Sequence, residues 1–491
     1  MKTYRNYIGG EWVESVSKRR VPNINPSDTG DVLGETPLAT RDEAAAACAV
    51  AGDAFREWRR VPAPRRGAIV SRAAQLMQER RNEIARAVAR EEGKLVSEAQ
   101  GEMNRSINVA EFSGAHGRRL NGVTIPLELP NNFGYTLRIP RGVAALITPW
   151  NFPVAIPVWK IAPALVAGNS VVFKPSPLTP ETTELLMQCF IDAGVPAGVL
   201  NMVHGDADVG TTFIDHPAVK CVSFTGSTPV GKAIYEQAAR RGIAAQCEMG
   251  GKNPVIVLED ADLDLAVAGV LSGAFGSTGQ RCTATSRVIL LHPVADAFLE
   301  RLTHAAMAMR LGNSQEDGVD MGPIVSESQM RRVLEYIEIG KGEGAELLCG
   351  GKRASAGALG KGYFVEPTVF DRVRPEMRIA QEEIFGPVLS VIRVESFEEA
   401  MAAANDSPFG LTSSIYTRDA MRMFRYIDEI ETGMTHVNSP TLGGEAQVPF
   451  GGTKDTAVGP TEQGTEVFDF YTETKVAYID YTGAKREGKL Y

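Results

Sequence analysis

The sequence predicts an α/β protein built around parallel, doubly wound sheets. Short apolar runs such as VAALITP, SVVFKPS and VKCVSFTGS alternate with helical segments before about residue 250, and a second series with RVILLH, PVLSVIRV and LTSSIYT follows it. Strands separated by helices in this way pair in parallel. At 491 residues the chain also exceeds the size at which a single core stops growing. We therefore expect at least two α/β domains.

Two regions flank this alternation. Between about residues 42 and 116 apolar residues recur every three to four positions, which predicts helices, and arginines fill the other face, where we expect a solvated surface. From about residue 465 the tail alternates apolar and polar residues, as does YTLRI at 135–139. These two segments predict a small protruding sheet whose open edge invites pairing with another subunit, in a homodimer or homotetramer.

Composition excludes several classes of function. The net charge of −9 and the lack of a polybasic run argue against nucleic acid or a membrane surface as partner, which leaves a small molecule. No signal-peptide-like segment and no apolar run of about 18 residues occurs, so we expect a cytoplasmic protein. Six cysteines and six histidines stand singly, which predicts neither disulfides nor a metal site. The run Asp260, Asp262, Asp264 lacks the glycine of a calcium loop and is interpreted as the acidic start of a helix.

Seven short motifs point to the chemistry. Along the chain these are TPWNFP (148–153), VVFKPS (171–176), FTGS (224–227), EMGGKNP (248–254), GQRC (279–282), EEIFGPV (382–388) and PFGG (449–452). A GxGxxG fingerprint is missing, and the turn in FTGSTPVGKAI, taken alone, is as consistent with a structural turn as with a phosphate site. The order and spacing of the seven motifs, over residues 5–485, resemble those of the NAD(P)-dependent aldehyde dehydrogenase superfamily.

The resemblance implies an aldehyde dehydrogenase fold with three parts. A Rossmann-like dinucleotide-binding domain would comprise residues 1–120 and 141–250, and an α/β catalytic domain residues 251–448. The small β oligomerisation arm would comprise residues 121–140 and 465–491.

The resemblance also assigns four catalytic residues. Cys282 would attack the aldehyde, although a cysteine is more often a small buried apolar residue. The side chain of Asn151, which could otherwise hold a turn, would stabilise the resulting oxyanion together with the Cys282 backbone N–H. Glu248 would activate water to release a free acid, rather than standing at a solvent-facing strand end, and its uncharged neighbours would raise its pKa if it is buried. Glu462 would relay the proton.

Cofactor contacts follow from the same resemblance. Lys174 and Glu383 would bind the two ribose hydroxyl pairs, Phe385 would pack near the nicotinamide, and Ser227 would meet the pyrophosphate, although a charged residue alone is more often a surface side chain. Pro177 stands where many NAD-preferring relatives carry a glutamate that repels a 2′-phosphate. NAD or NADP is therefore expected, with NADP tolerated. The remaining cofactor-binding candidates are Trp150, Ser176, Gly226, Gly231 and Gly250.

The substrate pocket is expected around the nucleophile and the segment after WNFP. Its candidate residues are Phe152, Ile156, Trp159, Arg281, Thr283, Thr441 and Phe450. An anionic substrate would be favoured roughly ten- to a hundredfold by a charge-assisted contact with Arg281. GQRCTATSR and GPTEQG look most like the branch that oxidises 2-oxoglutarate semialdehyde (2,5-dioxovalerate).

Alternatives to this substrate remain open. If Arg281 points outward and bonds a neighbouring loop, an aromatic or aliphatic aldehyde becomes the better interpretation, because Trp159, Phe152 and Phe450 are aromatic. A cysteine (thio)esterase using Cys282 and Glu248, or a non-catalytic homologue, are the remaining alternatives.

Overall fold

The computed structural model describes residues 2–483 and 485 of the chain. The predicted α/β class is confirmed. The helices are α1 (Arg41–Trp58), α2 (Ala63–Glu79), α3 (Arg81–Glu92), α4 (Val96–His116), α5 (Ala155–Ala167), α6 (Pro180–Asp192), α7 (Ala207–Asp215), α8 (Thr228–Arg241), α9 (Leu263–Phe275), α10 (His292–Ala308), α11 (Glu327–Gly342), α12 (Arg378–Gln381), α13 (Phe397–Asn405), α14 (Ala420–Glu429) and α15 (Val467–Tyr471).

Strands lie between these helices, as the alternation of the sequence predicts. They are β1 (Asn6–Ile8), β2 (Glu11–Val13), β3 (Arg20–Ile24), β4 (Val32–Pro37), β5 (Thr124–Ile125), β6 (Asn132–Pro140), β7 (Val143–Ile147), β8 (Ser170–Lys174), β9 (Leu200–Met202), β10 (Val219–Thr225), β11 (Ala244–Glu248), β12 (Asn253–Val257), β13 (Thr285–Leu291), β14 (Glu346–Cys349), β15 (Thr368–Asp371), β16 (Val388–Val394), β17 (Phe409–Gly410), β18 (Thr412–Tyr416), β19 (Met434–Val437), β20 (Thr453–Lys454), β21 (Ala457–Val458) and β22 (Thr472–Asp480).

The first sheet has the order β2-β1-β9-β8-β7-β10-β11-β21. Its five central strands run parallel, and β1, β2 and β21 pair antiparallel at the edges. The register places Thr225 opposite Glu248, so the carboxyl ends of β10 and β11 lie side by side. Ligands of open α/β sheets bind at this edge, outside the carboxyl ends of the strands.

A second sheet with the order β14-β15-β16-β13-β12-β18-β19 follows, parallel except for the edge strand β14. The chain passes from the carboxyl end of β11 to the amino end of β12 within four residues, Met249 to Lys252. Because β13 begins beside β12, with Thr285 opposite Asn253, the nucleophile loop before β13 comes to the carboxyl edge of the first sheet. Apart from the edge strand β21, the strands of the first sheet precede residue 250 and those of the second sheet follow it.

The tail forms the small sheet that its alternation predicts, in the order β22-β6-β5. β22 pairs antiparallel with the whole of β6, from Thr472 opposite Pro140 to Asp480 opposite Asn132. The prediction of a strand is wrong for residues 467–471, which form helix α15. The apolar side chains of this helix are buried in the core of the first domain instead of facing alternate sides of a sheet. Residues 484 and 486–491 of the predicted arm lie outside the described residues.

The sequence predicts a solvated surface for the arginines between residues 42 and 116, but not all of them lie on one. Arg66 is 5% exposed, and its guanidinium donates hydrogen bonds to the carbonyl oxygens of Val166 (2.9 Å) and Ala167 (3.2 Å). Helices α2, α4 and α5 pack against one another, so α2 has buried faces on more than one side. The last carbonyl groups of α5 lack partners within their own helix, and Arg66 donates hydrogen bonds to two of them.

Further features concern what the sequence predicts about membrane spans, metal ligands and cysteines. Among the described residues, no helix is long and apolar enough to cross a bilayer, and no three His, Cys, Asp or Glu side chains group to hold a metal ion. Asp262 caps helix α9, as expected, because its carboxylate accepts a hydrogen bond from the backbone N–H of Leu265 at 3.2 Å. All six cysteines are free, and every one except Cys282 is buried.

Candidate active site

The loop that carries Cys282 has an unusual backbone. Ser277, Thr278 and Gly279 in succession adopt the left-handed conformation, with φ of 48°, 58° and 68°. Left-handed residues other than glycine cost of order 1–3 kcal/mol each and persist only where the surroundings hold them. Here the Thr278 hydroxyl donates to the carbonyl of Gly322, and the amide of Asn253 donates to the carbonyl of Cys282 at 2.7 Å. The loop is thus fixed on both sides of the cysteine.

Cys282 lies where two cavities meet. The outer cavity, of about 160 Å³, is lined by Pro149, Trp150, Asn151, Ile156, Thr225, Gly226, Ser227, Met249, Gly250, Cys282, Gln329, Arg332, Glu383 and Phe385. The inner cavity, of about 20 Å³, is lined by Arg105, Phe152, Ile156, Trp159, Thr225, Glu248, Met249, Cys282, Thr283, Leu411, Phe450 and Glu462. The first set contains the cofactor candidates of the TPWNFP, FTGS and EEIFGPV motifs, and the second contains Glu248 and most substrate candidates. The thiol therefore faces both sets of candidate residues.

Burial raises the pKa of the Cys282 thiol to about 12. The negative charges of Glu383 and Glu248 raise it further, whereas the positive charge of Arg105 opposes them. The thiol is thus protonated at neutral pH in this arrangement, and a base must take its proton before it can act as a nucleophile.

The side-chain amide of Asn151 faces the nucleophile loop from the other side. Its Nδ2 donates to the carbonyl of Gln280 at 3.1 Å, two residues before Cys282. Asn151 lies four residues after the end of strand β7, at the same sheet edge as Glu248. The structure therefore brings the amide, the thiol and the carboxyl group together around the adjoining cavities.

Glu248 ends strand β11 and is 3% exposed. Burial raises the pKa of its carboxyl group well above the usual range, and the charge of Glu462 adds to this while Lys160 opposes it. Lys160 forms a buried ion pair with Glu462 and donates to the hydroxyl of Ser223 at 2.7 Å. Ser223 in turn donates to the side-chain carbonyl of Gln246 at 2.9 Å. Glu248 thus lies in surroundings that favour its protonated form, beside a buried chain of proton-carrying groups.

The outer cavity has the features that a dinucleotide requires. Ser227 is the N-cap of helix α8, and its hydroxyl makes no capping hydrogen bond, which leaves the helix N-terminus free to meet an anion. A side chain at Gly226 would collide with Phe224, and one at Gly250 with Glu383, so both glycines keep the backbone accessible. The rings of Trp150 and Phe385 meet edge to face, 5.5 Å apart. The Glu383 carboxylate accepts from the N–H of Gly251 at 3.0 Å.

The other cofactor candidates lie away from this cavity. Lys174, at the carboxyl end of β8, donates to the carbonyl oxygens of Pro175 and Gly205, and burial lowers its pKa to about 8. The Ser176 hydroxyl accepts from the N–H of Leu178, and the carbonyl of Pro177 accepts from Thr36. Gly231 packs within helix α8, where a side chain would collide with Met249. None of these cofactor candidates is among the residues that line the outer cavity.

Two substrate candidates are not among the residues that line the inner cavity. The guanidinium of Arg281 donates to the Ser277 hydroxyl at 3.0 Å and pairs with Glu98 at 3.0 Å. Thr441 donates to the carbonyl of Thr283 at 2.8 Å and is 1% exposed. The expectation that Arg281 anchors a substrate carboxylate is therefore corrected, because the left-handed turn before it and Glu98 hold its side chain elsewhere.

Arg105, which no motif of the sequence singled out, lines the inner cavity. Its guanidinium lies over the ring of Trp159, 4.4 Å from the centroid, and 5.8 Å from that of Phe450. Within the described chain, its Nε and Nη2 atoms are buried and have no hydrogen-bond partner. Burial lowers its pKa to about 10, so the side chain stays charged at neutral pH. In the sequence, the placement of Arg105 near the Cys282 loop is indicated only by its position seven residues after Glu98, on the same helix face.

Further polar groups of the inner cavity are also unsatisfied. Among the described residues, the Trp159 Nε1, the Thr225 hydroxyl and one oxygen of the Glu248 carboxyl group are buried without a partner. Buried polar groups in native proteins are nearly always hydrogen-bonded, and the exceptions call for an explanation. Together with Arg105, these groups give the inner cavity several buried polar atoms that have no partner among the described residues.

The sequence profile of the Aldehyde dehydrogenase family matches residues 12–477. The chain belongs to this family. It is 45% identical over 478 residues to alpha-ketoglutaric semialdehyde dehydrogenase of Bacillus subtilis (strain 168), covering 97% of this chain and 98% of that one. It is also 43% identical over 476 residues to malonate-semialdehyde dehydrogenase 2 of Geobacillus thermodenitrificans (strain NG80-2), covering 97% and 98%.

A solved structure of betaine aldehyde dehydrogenase from Staphylococcus aureus, in complex with NAD⁺, superposes with a TM-score of 0.95 at 35% identity, covering 98% of this chain and 95% of that one. The aldehyde dehydrogenase fold expected from the motifs is thus confirmed. The predicted enzyme class, an NAD(P)-dependent aldehyde dehydrogenase, is confirmed as well.

Proposed function

We propose that this aldehyde dehydrogenase oxidises a carboxylated semialdehyde, 2-oxoglutarate semialdehyde in the first place, to the free dicarboxylic acid. The observation that carries the proposal is the placement of Arg105, with its unpaired Nε and Nη2, on the same small cavity as Cys282 and Glu248. Nε and Nη2 form one edge of the guanidinium plane. Two parallel donors on one edge match the two oxygens of a carboxylate.

In the first half of the reaction, the Cys282 sulfur attacks the aldehyde carbon while its proton passes to a water molecule in the adjoining cavity, which gives a thiohemiacetal. The oxyanion on the former carbonyl oxygen accepts hydrogen bonds from the Asn151 amide and the backbone N–H of Cys282. Loss of one such donor typically slows a reaction by about 10²–10³-fold. Trp150, Ser227, Glu383 and the glycines of the outer cavity would hold NAD(P), which would supply the hydride acceptor. Loss of the hydride leaves a thioester on Cys282.

In the second half, Glu248 acts as the base. Its carboxylate takes a proton from water while the water oxygen attacks the thioester carbon, and the Cys282 thiolate leaves with the electron pair of the C–S bond. The raised pKa of Glu248 makes it a better proton acceptor than an ordinary carboxylate. Glu462, Lys160 and Ser223 offer the proton a buried route away from the site. The product is the free acid.

The size of the inner cavity favours this substrate class over an aromatic aldehyde, and the Arg105 charge favours it over a plain aliphatic one. At about 20 Å³ it holds little more than one water, so a slim aliphatic chain fits with less displacement of side chains than an aromatic ring does. The aromatic walls of Phe152, Trp159 and Phe450 support an aromatic or plain aliphatic aldehyde instead. However, a neutral substrate would leave the Arg105 fork without a partner, at a desolvation cost of about 1–3 kcal/mol or more for a charged group.

A panel of aldehydes tests the proposal. It comprises 2-oxoglutarate, succinate and malonate semialdehydes with hexanal and benzaldehyde as neutral members, each with NAD and NADP, and kcat/KM is read from nicotinamide absorbance. We expect the carboxylated members to lead, activity only when aldehyde and dinucleotide are both present, and none in Cys282→Ala, which still binds dinucleotide. Turnover of esters or thioesters alone would support the hydrolase alternative. Equal kcat/KM for succinate semialdehyde and hexanal would refute the substrate class.

We also propose that NADP is accepted alongside NAD. Pro177 presents no carboxylate where a 2′-phosphate would approach, and the Lys174 amine and Ser176 hydroxyl lie close to it in the chain. The variant Pro177→Glu adds a like charge, so it should raise KM for NADP by about tenfold or more while KM for NAD changes little. Pro177→Gln, which is similar in size and uncharged, is the control. Parallel changes in both KM values would contradict the electrostatic reason.

A further inference from the structure

The oxyanion donor sits on a segment without regular secondary structure. Asn151 lies between the end of β7 at Ile147 and the start of α5 at Ala155. A displacement of about 1 Å in such a segment can cost about 10²-fold in rate. Something outside the segment must therefore hold it in place.

A buried ion pair lies directly against this segment. Lys94 and Glu102 pair at 2.8 Å, and both side chains are fully buried. The Lys94 Nζ also donates to the backbone carbonyl of Asn151 itself, at 2.6 Å, and it lies 4.0 Å from the centroid of the Phe152 ring. One amine thus contacts the oxyanion residue and the residue after it.

Glu102 holds the other end of the same segment. Its second oxygen, Oε1, accepts hydrogen bonds from the backbone N–H groups of Val154 (2.8 Å) and Ala155 (3.0 Å), where helix α5 begins. Lys94 and Glu102 therefore fix the backbone from residue 151 to residue 155 through hydrogen bonds at both ends.

Helix α4, which carries Glu102, also holds the loop that carries Cys282. Glu98, one turn before Glu102 on α4, accepts from the backbone N–H of Ser277 at 2.6 Å and from the guanidinium of Arg281. Helix α4 thereby touches the segment that carries the amide and the loop that carries the thiol. The distance between the two is set through contacts with one rigid element.

Stability alone explains this pair poorly. Two charges taken out of water lose several kcal/mol of hydration each, and well-packed apolar replacements of buried ion pairs are often neutral or stabilising. From the geometry we infer that Lys94 and Glu102 are positioning residues, which aim the Asn151 amide at the oxyanion formed on Cys282. This inference rests on the oxyanion role proposed for Asn151.

The test compares two variants in which Glu102 is already neutral and which differ only at residue 94, whose amine contacts the Asn151 carbonyl and the Phe152 ring. Removing Lys94 alone would strand the buried Glu102 charge, so the reference is Glu102→Gln, and the test variant is Lys94→Met/Glu102→Gln. We expect kcat for the aldehyde to fall by about 10²-fold between them, as for a misplaced oxyanion donor, with dinucleotide affinity unchanged. Alkylation of Cys282 by iodoacetamide forms no oxyanion, so its rate should not change. In an Asn151→Ala background the same change should have no further effect.

A matched control removes a buried charge far from the cavities. Asp371→Asn breaks the ion pair between Asp371 and Arg393, 2.7 Å apart in the second sheet, and should lower Tm without changing kcat. A double variant that keeps kcat while Asn151→Ala loses it overturns the inference. Parallel losses in kcat, alkylation and dinucleotide affinity overturn it as well, because they indicate a general structural role. Full activity in Asn151→Ala would instead refute the proposed role of Asn151.

Discussion

Arg105→Met offers the sharpest test of substrate recognition. Methionine keeps an apolar stem that can pack on Trp159, but it removes the charge and the two donors, Nε and Nη2, that have no partner in the described structure. A hydrogen bond to a charged group contributes about 1.5–3 kcal/mol, which corresponds to a factor of about 10 to 150 in kcat/KM. We expect a loss of that size for a carboxylated semialdehyde relative to a neutral aldehyde of equal length.

The ratio between the two substrates is the quantity to measure. The Arg105 charge also opposes the rise in the pKa of the Cys282 thiol, so its removal should slow both substrates. This shared effect cancels when kcat/KM for succinate semialdehyde is divided by that for butanal. Arg105→Lys keeps the charge without the planar fork, and it should give an intermediate ratio.

Arg281→Met is the matched control, because Arg281 adjoins the nucleophile in sequence but is held by Ser277 and Glu98. Its ratio should stay at the wild-type value even if both rates fall. The reasoning fails if Arg105→Met leaves the ratio unchanged, or if Arg281→Met shifts it instead.

Two further predictions concern the acid–base groups. In Glu248→Gln, one hydride transfer per site should be followed by a stalled acyl-enzyme, seen by mass spectrometry as an increment on Cys282; free acid at the wild-type rate would exclude Glu248 as the base. The rate of deacylation should rise with pH as Glu248 loses its proton, with a midpoint above the usual carboxyl range because burial raises its pKa. Since the Glu462 charge raises that pKa and the Lys160 charge lowers it, Glu462→Gln should move the midpoint down and Lys160→Met should move it up. Shifts in the same direction in the two pH profiles would contradict this electrostatic reason.

The fold and the grouping of the candidate catalytic residues could be predicted from the sequence, because both are encoded locally. Cys282, Asn151 and Glu248 each sit in a short motif that directly follows or precedes a strand, so the strand order alone brings them to one edge. The tail was harder to predict, because over five residues buried apolar side chains fit a helix as well as a strand. Packing on the first domain decides in favour of α15.

The substrate side could not be predicted in the same way. Arg105 lies in the middle of a long helix, and only the packing of α4 against α5 turns it toward the cavity. Arg281 stands beside the nucleophile in sequence, yet three left-handed residues and Glu98 direct its side chain away. A residue next to a motif shares its chain position, whereas the contacts of its side chain depend on distant parts of the molecule.

Helix α4 also limits how this protein can change through insertions and deletions. Glu98, Glu102 and Arg105 are spaced by four and three residues, so all three lie on one face of the helix. One residue added between Glu98 and Arg105 would turn the later positions by about 100° and separate the nucleophile loop from the substrate arginine. Substitutions on this face can alter selectivity one contact at a time. A change in helix length there would disrupt several contacts at once.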